Sequence, residues 1–279
     1  RELLSRAGTT RRESPVHADA TPRAYFRRRG AGLFDATALV GGAWTATEQH
    51  VSPALGLLAH EVERHRDARR KDHLPLARLS FDILGAIPID TVETEVEVIR
   101  PGRTIELVEA RLSHAGLVAL VLRAWLMHPY ETSDVEAVAL GPIAPPERMA
   151  PWDPSTVWPG GFVGSVEVRR TELEPGRAAF WLRTKVPLVE GEPASDLARA
   201  VGLFDMANGM TPRAPSSQLH FPNVDLTAHL FEAPQGDWLG FDTAVTFGAH
   251  GIGLTSSTIH DWRGPIGTIA QCLTLRPRG

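Results

Sequence analysis

The chain has 279 residues, 43% of them hydrophobic, which is enough to bury the core of one large domain or of two modest ones. Its 29 Lys and Arg residues against 33 Asp and Glu residues give a formal net charge of −4, which argues against a general nucleic-acid binder. Cys272 is the only cysteine, so an intrachain disulfide and a cysteine-based metal cluster are excluded, and we expect a cytoplasmic protein.

The first segment, Arg1–Pro22, contains four arginines but no continuous apolar run, so it predicts a flexible tail rather than a signal peptide. No apolar stretch in the chain approaches the roughly 20 residues that cross a bilayer. The sequence therefore predicts no membrane span.

Residues 23–128 have the pattern of one helix followed by an antiparallel meander. Ser52 is a candidate N-cap and Pro53 stands at the first turn of the predicted helix. Strict alternation follows in Val92–Ile99, and two further strands are predicted at Thr104–Ser113 and Leu117–Met127.

Residues 129–159 are rich in proline and predict a linker rather than a packed element. Residues 160–279 then repeat the earlier pattern, with a helix predicted from the cap Ser195 to about Asn208. Strands are predicted at Phe162–Arg169, Arg177–Arg183, Val224–Phe231, Asp237–Phe247, Ile252–His260 and Ile266–Leu275.

The two halves match each other when they are compared from their C-terminal ends. The turn Ala115-Gly116 before Leu117–Trp125 corresponds to Arg263-Gly264 before Pro265–Leu273. A repeat of this size predicts an internal duplication, in which two similar modules pack as a pseudo-dimer. The fold class predicted is α+β, with two tandem modules that each place a helix against an antiparallel sheet.

Several short motifs, kept in order along both halves, resemble a known family. They are Gly42-Ala43-Trp44, Gln49-His50, the Pro53–Glu63 helix, Phe81–Leu84 and Arg100–Arg103 in the first half, and Val224–Leu226, Asp237–Leu239, Thr246, Gly251–Gly253, Arg263-Gly264 and Ala270-Gln271 in the second. One helix enclosed by a curved antiparallel sheet resembles the hotdog fold, and the ordered set resembles the acyl-CoA thioesterase II family. That family is a double-hotdog group.

The resemblance implies a hydrolytic trio of Asp, Thr and Gln, and the matching positions are Asp225, Thr246 and Gln271. Thioester hydrolysis needs an aimed water, a group that takes its proton, and donors for the developing oxyanion. Asp225 would be the base, and Thr246 and Gln271 would orient the water. The substrate would be an acyl-CoA, with CoA present only as part of the substrate, no other cofactor and no catalytic metal.

The start of the first helix is the predicted substrate-binding region, formed by His50, Val51 and Ser52. Backbone N–H groups at a helix start are natural oxyanion donors. The family commonly has Gly-Gly at the two positions that Val51 and Ser52 occupy here, and His50 could bind substrate or brace the helix start.

Three alternatives stay open from the sequence. The Val51-Ser52 departure favours a non-hydrolytic acyl-CoA or lipid-binding protein with the same fold. The pair Asp225 and His229 favours a hotdog enoyl-CoA hydratase or dehydratase, although four residues on a strand span about 13 Å, too far to act on one carbon. A homo-oligomer formed by pairing of sheets is also possible. Cys272 follows Gln271 directly and is predicted as a packed thiol on the other side of the sheet.

Overall fold

The structure, a computed structural model, describes residues 23–45 and 47–278. The predicted flexible tail at 1–22 lies outside the described residues. The strands are β1 (Phe26–Gly30), β2 (Leu33–Ala36), β3 (Leu76–Ile83), β4 (Thr91–Arg100), β5 (Ile105–His114), β6 (Leu117–Met127), β7 (Ala150–Trp152), β8 (Val166–Glu174), β9 (Arg177–Thr184), β10 (Leu219–His220), β11 (Asp225–Leu230), β12 (Leu239–Phe247), β13 (Ile252–Asp261), β14 (Gly264–Thr274) and β15 (Arg276–Pro277). The α-helices are α1 (Val51–Arg69), α2 (Gly161–Gly164), α3 (Asp196–Val201) and α4 (Met206–Gly209).

A 13-stranded antiparallel sheet forms the frame of the molecule, in the order β1-β2-β4-β5-β6-β3-β11-β14-β13-β12-β9-β8-β7. The order has a mirror relation about its centre, because β1-β2-β4-β5-β6-β3 is followed by its counterpart β11-β14-β13-β12-β9-β8. The antiparallel pair β3–β11 joins the two halves, with Ser80 opposite Thr227 and their hydroxyl oxygens 3.0 Å apart. The predicted α+β class, with two modules of like topology, is confirmed.

Helix α1 is the long helix of the first module, and nearly all of its first ten residues are buried. Leu55, Leu58 and Val62 lie in the core between the helix and the sheet. The helix begins two residues before the predicted Pro53, and its N-cap is His50 rather than Ser52. The ring nitrogen Nδ1 of His50 accepts a hydrogen bond from the backbone N–H of Ser52 at 3.2 Å, which is the role that a Ser or Asp side chain has at most helix starts.

The corresponding helix of the second module is broken, although the sequence predicts one continuous helix there. Ser195 caps α3 as predicted, and Oγ accepts from the N–H of Ala198 at 3.0 Å. After α3 the chain passes through a turn at residues 202–205 before α4 begins. Helix α1 approaches this region closely, because a side chain at Gly56 would come within 2.9 Å of both Ala198 O and the Cα of Gly202.

The connecting segment predicted as a linker at 129–159 contains packed structure in its second half. Strand β7 adds to the sheet beside β8, and the side chains of Met149 and Trp158 are buried. Next, α2 occupies the start of the strand predicted at Phe162–Arg169. In the part of the chain that the structure describes, no helix is both long and apolar enough to span a bilayer.

Candidate active site

A cleft of about 500 Å³ opens where the start of α1 meets the second module. Its walls come from both halves of the chain, since His50 and Val51 belong to the first module and Asp205 and Asn223 to the second. A second, much smaller cavity of about 30 Å³ adjoins the same three polar residues, His50, Asp205 and Asn223. These three polar residues therefore lie at the junction of the two cavities.

Asp205 is the centre of this polar group. It stands in the turn directly before α4 and is 9% exposed. Its Oδ1 accepts hydrogen bonds from the amide nitrogens of Asn223 at 2.7 Å and of Gln271 at 2.8 Å. Its Oδ2 has no hydrogen-bond donor among the described residues, and it lies 3.9 Å from Nδ1 of His50. Two amide groups thus fix Oδ1 of Asp205, whereas Oδ2 remains available to accept a hydrogen bond or a proton.

Burial raises the pKa of Asp205 to about 7, because desolvation disfavours the charged form more than the amide hydrogen bonds from Asn223 and Gln271 favour it. A carboxylate with a pKa near the working pH is well matched to take a proton from water, since it is partly ionised and still basic.

His50 faces Asp205 across the junction. Burial lowers its pKa to about 4, so the imidazole is neutral at pH 7. Because Nδ1 accepts the N–H of Ser52, the single ring hydrogen resides on Nε2. His50 therefore braces the helix start, and Nδ1 is the ring nitrogen that lies near Asp205.

Of the predicted trio, the structure brings only Gln271 into this group. Gln271 is buried, on the inner face of β14. Asp225 lies on the opposite face of the sheet, where its Oδ1 accepts the backbone N–H of Cys272 at 2.6 Å. Asp225, which was predicted as the base, therefore does not join this group, because Leu226 next to it points into the core and strand alternation turns Asp225 outward.

Thr246 also lies apart from the cleft. It is exposed on β12, opposite Leu254 of β13, and it contacts neither Asp205 nor Gln271. Thr246, which was predicted to orient water, is therefore not brought together with Gln271. Cys272 does point to the other side of the sheet from Gln271, but it is exposed rather than packed in the core.

The predicted substrate-binding residues do reach the cleft, since His50 and Val51 line it. Ser52 is fully buried, and its hydroxyl has no hydrogen-bond partner among the described residues. Of the first four helical residues, Pro53 has no N–H and Ser52 donates to His50, so Val51 supplies the unpaired backbone N–H nearest the cleft. Among the described residues, no group of three or more His, Cys, Asp or Glu side chains is placed to hold a metal ion.

The sequence interpretation missed Asp205 and Asn223. A signal for Asp205 was present, because it stands between Phe204 and Met206 in the apolar part of the predicted helix. A carboxylate buried among apolar residues is costly unless it has partners or a function. Asn223 precedes β11 in a segment without a regular pattern, so its position near Asp205 had no comparable signal.

Comparison with protein families matches both halves of the chain. The model for the acyl-CoA thioesterase N-terminal domain matches residues 40–127, and the model for the acyl-CoA thioesterase C-terminal domain matches residues 143–275. No curated protein matches the chain significantly.

Solved structures share the fold over most of their length. A proposed thioesterase II from Thermobifida fusca has a TM-score of 0.69 at 16% identity, covering 91% of this chain and 96% of that chain. A proposed thioesterase from Novosphingobium aromaticivorans has a TM-score of 0.68 at 20% identity, covering 92% and 100%. The acyl-CoA thioesterase II TesB2 from Mycobacterium marinum has a TM-score of 0.65 at 14% identity, covering 91% and 95%. The double-hotdog fold is thereby confirmed, and the two family models together show that this chain belongs to the acyl-CoA thioesterase family, a family of thioester hydrolases.

Proposed function

We propose that this thioesterase hydrolyses acyl-CoA to a free carboxylic acid and CoA, with Asp205 as the general base. The observation that carries the proposal is the buried carboxylate of Asp205, which two amides hold by one oxygen at the junction of two cavities. Asp205, Asn223 and Gln271 replace the trio that the sequence predicted.

In the proposed reaction, Oδ2 of Asp205 accepts a proton from a water molecule in the cleft as the water oxygen attacks the thioester carbon. Asn223 and Gln271 are positioning residues, because they fix Oδ1 and so aim Oδ2. General-base assistance of this kind contributes about 10²–10⁴-fold to the rate. The C–S bond then breaks, and the proton returns to the departing thiolate.

The developing oxyanion needs donors that are in place before the reaction. The backbone N–H of Val51 has the positive end of a 19-residue helix behind it. Nε2–H of the neutral His50 is a second candidate donor. The predicted substrate-binding role of His50 and Val51 is retained on these grounds, whereas Ser52 acts through the cap of His50.

Two residues that line the larger cleft support CoA as the group that carries the acyl chain. Arg276 and His220 line it, and His220 stacks on Trp44 with ring centroids 5.1 Å apart. Arginine and stacked aromatic rings suit the phosphates and the adenine of CoA. The reaction as written uses only water and the thioester.

The test is release of free thiol from acyl-CoA by the wild type, by Asp205→Asn and by Asp225→Asn. We expect Asp205→Asn to lower kcat by about 10²–10⁴-fold, because Asn cannot accept the proton. Asp225→Asn is the matched control, because Asp225 also bonds to β14 but from the outer face of the sheet, and its rate should stay within about twofold of wild type.

Equal activity of Asp205→Asn and wild type would refute the role of Asp205. Tight binding of acyl-CoA by the wild type without release of thiol would instead favour the non-hydrolytic alternative. Consumption of an enoyl-CoA without free thiol would favour the hydratase alternative.

A further inference from the structure

The two cavities that meet at Asp205 differ strongly in size. The larger, of about 500 Å³, has the charged residues Glu48 and Arg276 among its lining residues. The smaller, of about 30 Å³, is lined by the apolar side chains of Val163, Met206 and Phe221 as well as by polar residues. A thioester bound with its carbonyl at Asp205 extends in two directions, so the long pantetheine arm and its phosphates fit the larger cavity, which contains Arg276, and the acyl group fits the smaller one.

Trp158, which comes from the segment that connects the two modules, is one of the bulky side chains in the wall of the smaller cavity. Its indole N–H donates to the backbone oxygen of Gly209 at 2.7 Å. Its ring lies edge-on against Trp44 and Phe221, with centroids 5.0 and 5.8 Å away. The side chain is 4% exposed. Methionines can adjust to a ligand, but a tryptophan fixed by a hydrogen bond and two aromatic contacts cannot move aside without loss of those interactions.

We infer that Trp158 sets the acyl-chain limit of this enzyme and makes it selective for short acyl groups. A cavity of about 30 Å³ has room for about two to three water-sized groups beyond the carbonyl, so acyl chains of up to about four carbons fit and chains of eight or more carbons do not. This inference rests on the proposed function, because it takes Asp205 as the position of the thioester.

The test measures binding of CoA thioethers, which cannot be hydrolysed, so it does not depend on turnover. Calorimetry compares S-butyl-CoA with S-dodecyl-CoA on wild type and on Trp158→Ala. We expect wild type to bind S-butyl-CoA at least about 10-fold more tightly, and Trp158→Ala to shift the ratio toward S-dodecyl-CoA by about 10-fold or more, since each buried methylene contributes roughly a factor of four.

Trp181→Ala is the matched control. Trp181 is also 4% exposed, and its indole N–H also donates to a backbone oxygen, that of Ala144 in the connecting segment, at 2.8 Å. It does not line either cavity at Asp205, so its variant should keep the wild-type ratio. If Trp158→Ala does not fold, Trp158→Phe should give a smaller shift in the same direction.

Wild type that binds S-dodecyl-CoA as well as S-butyl-CoA would overturn the inference. A folded Trp158→Ala with the wild-type ratio would overturn it too. A wild type that shows the expected ratio but releases no thiol from butyryl-CoA would refute the proposed hydrolysis while leaving the chain-length limit established.

Discussion

The two modules have the same strand order, yet only the second provides the carboxylate of the candidate site. If Ser80 of β3 is matched with Thr227 of β11, the residues opposite them, Arg123 and Ala270, also correspond. Gln271 then corresponds to Ala124, which is buried and apolar. The sheet of the first module thus has an ordinary apolar interior where the sheet of the second has a buried amide.

The helices differ in the same way. His60 lies as many residues after His50, the cap of α1, as Asp205 lies after Ser195, the cap of α3. His60 and Asp205 therefore occupy corresponding positions in the two modules. His60 lies 3.4 Å from a carboxylate oxygen of Glu192, which Arg28 also binds at 2.5 Å. The charged residues at this position are paired with each other, whereas Oδ2 of Asp205 has no donor among the described residues. The same position in the duplicated frame therefore has paired charges in the first module and the candidate site in the second.

The largest expected effect that sharpens this comparison is on Gln271, the residue that has no polar counterpart in the first module. Gln271→Ala should lower kcat by about 100-fold, at the lower end of general-base assistance, because Asp205 loses one of its two amide donors. The lost hydrogen bond should also raise the pKa of Asp205 further. Thiol release across a pH series measures both effects.

Thr246→Val is the control for this measurement, because Thr246 was predicted in the site and lies outside it. Its rate and pH profile should match those of wild type. A Gln271→Ala enzyme with an unchanged pH profile and rate would show that Gln271 does not position the base.

The next effect is the pH dependence of wild type. The pKa of Asp205 is raised to about 7, and only the ionised form accepts a proton. We therefore expect kcat/KM to rise about tenfold per pH unit below pH 7 and to level off above it. Since the pKa of His50 is lowered to about 4, His50 stays neutral over this range and adds no second transition. A rate independent of pH between 5 and 8 would contradict the assignment.

The smallest effect concerns the ion cluster beside α1, which Arg28 and Glu61 of the first module form with Glu192 of the second. Arg28→Ala removes the cation that binds both Glu61 and Glu192, at 2.6 and 2.5 Å, and leaves two mostly buried carboxylates close together. We expect the free energy of unfolding to fall by about 1–3 kcal/mol. Denaturant unfolding measures this loss, and kcat should remain near the wild-type value. A loss of kcat in a stable Arg28→Ala protein would mean that the ion cluster acts on the site.

Much of the frame was predictable from the sequence, because it depends on local patterns. Alternation in β4 and β5, the long helix near Pro53 and the matched turns of both halves predicted two like modules. Alternation in β11 places Asp225 opposite the apolar residues Leu226 and Ala228, in agreement with its position on the outer face. Gln271 was also predictable, since a polar residue that interrupts an apolar strand must find a partner.

Only the tertiary structure indicates Asp205 as the carboxylate of the candidate site. Asp205 accepts a hydrogen bond from Gln271, which is 66 residues away in the sequence, and it faces His50 of the other module. No local sequence pattern encodes contacts between residues so far apart in the chain. These contacts depend on the β3–β11 pairing and on the close packing of Gly56 against the turn at Gly202. The sequence by itself determined the class, the duplication and the buried amide. The non-local packing determined the environment of the proposed base, because desolvation and hydrogen bonding act on a carboxylate only once both modules surround it.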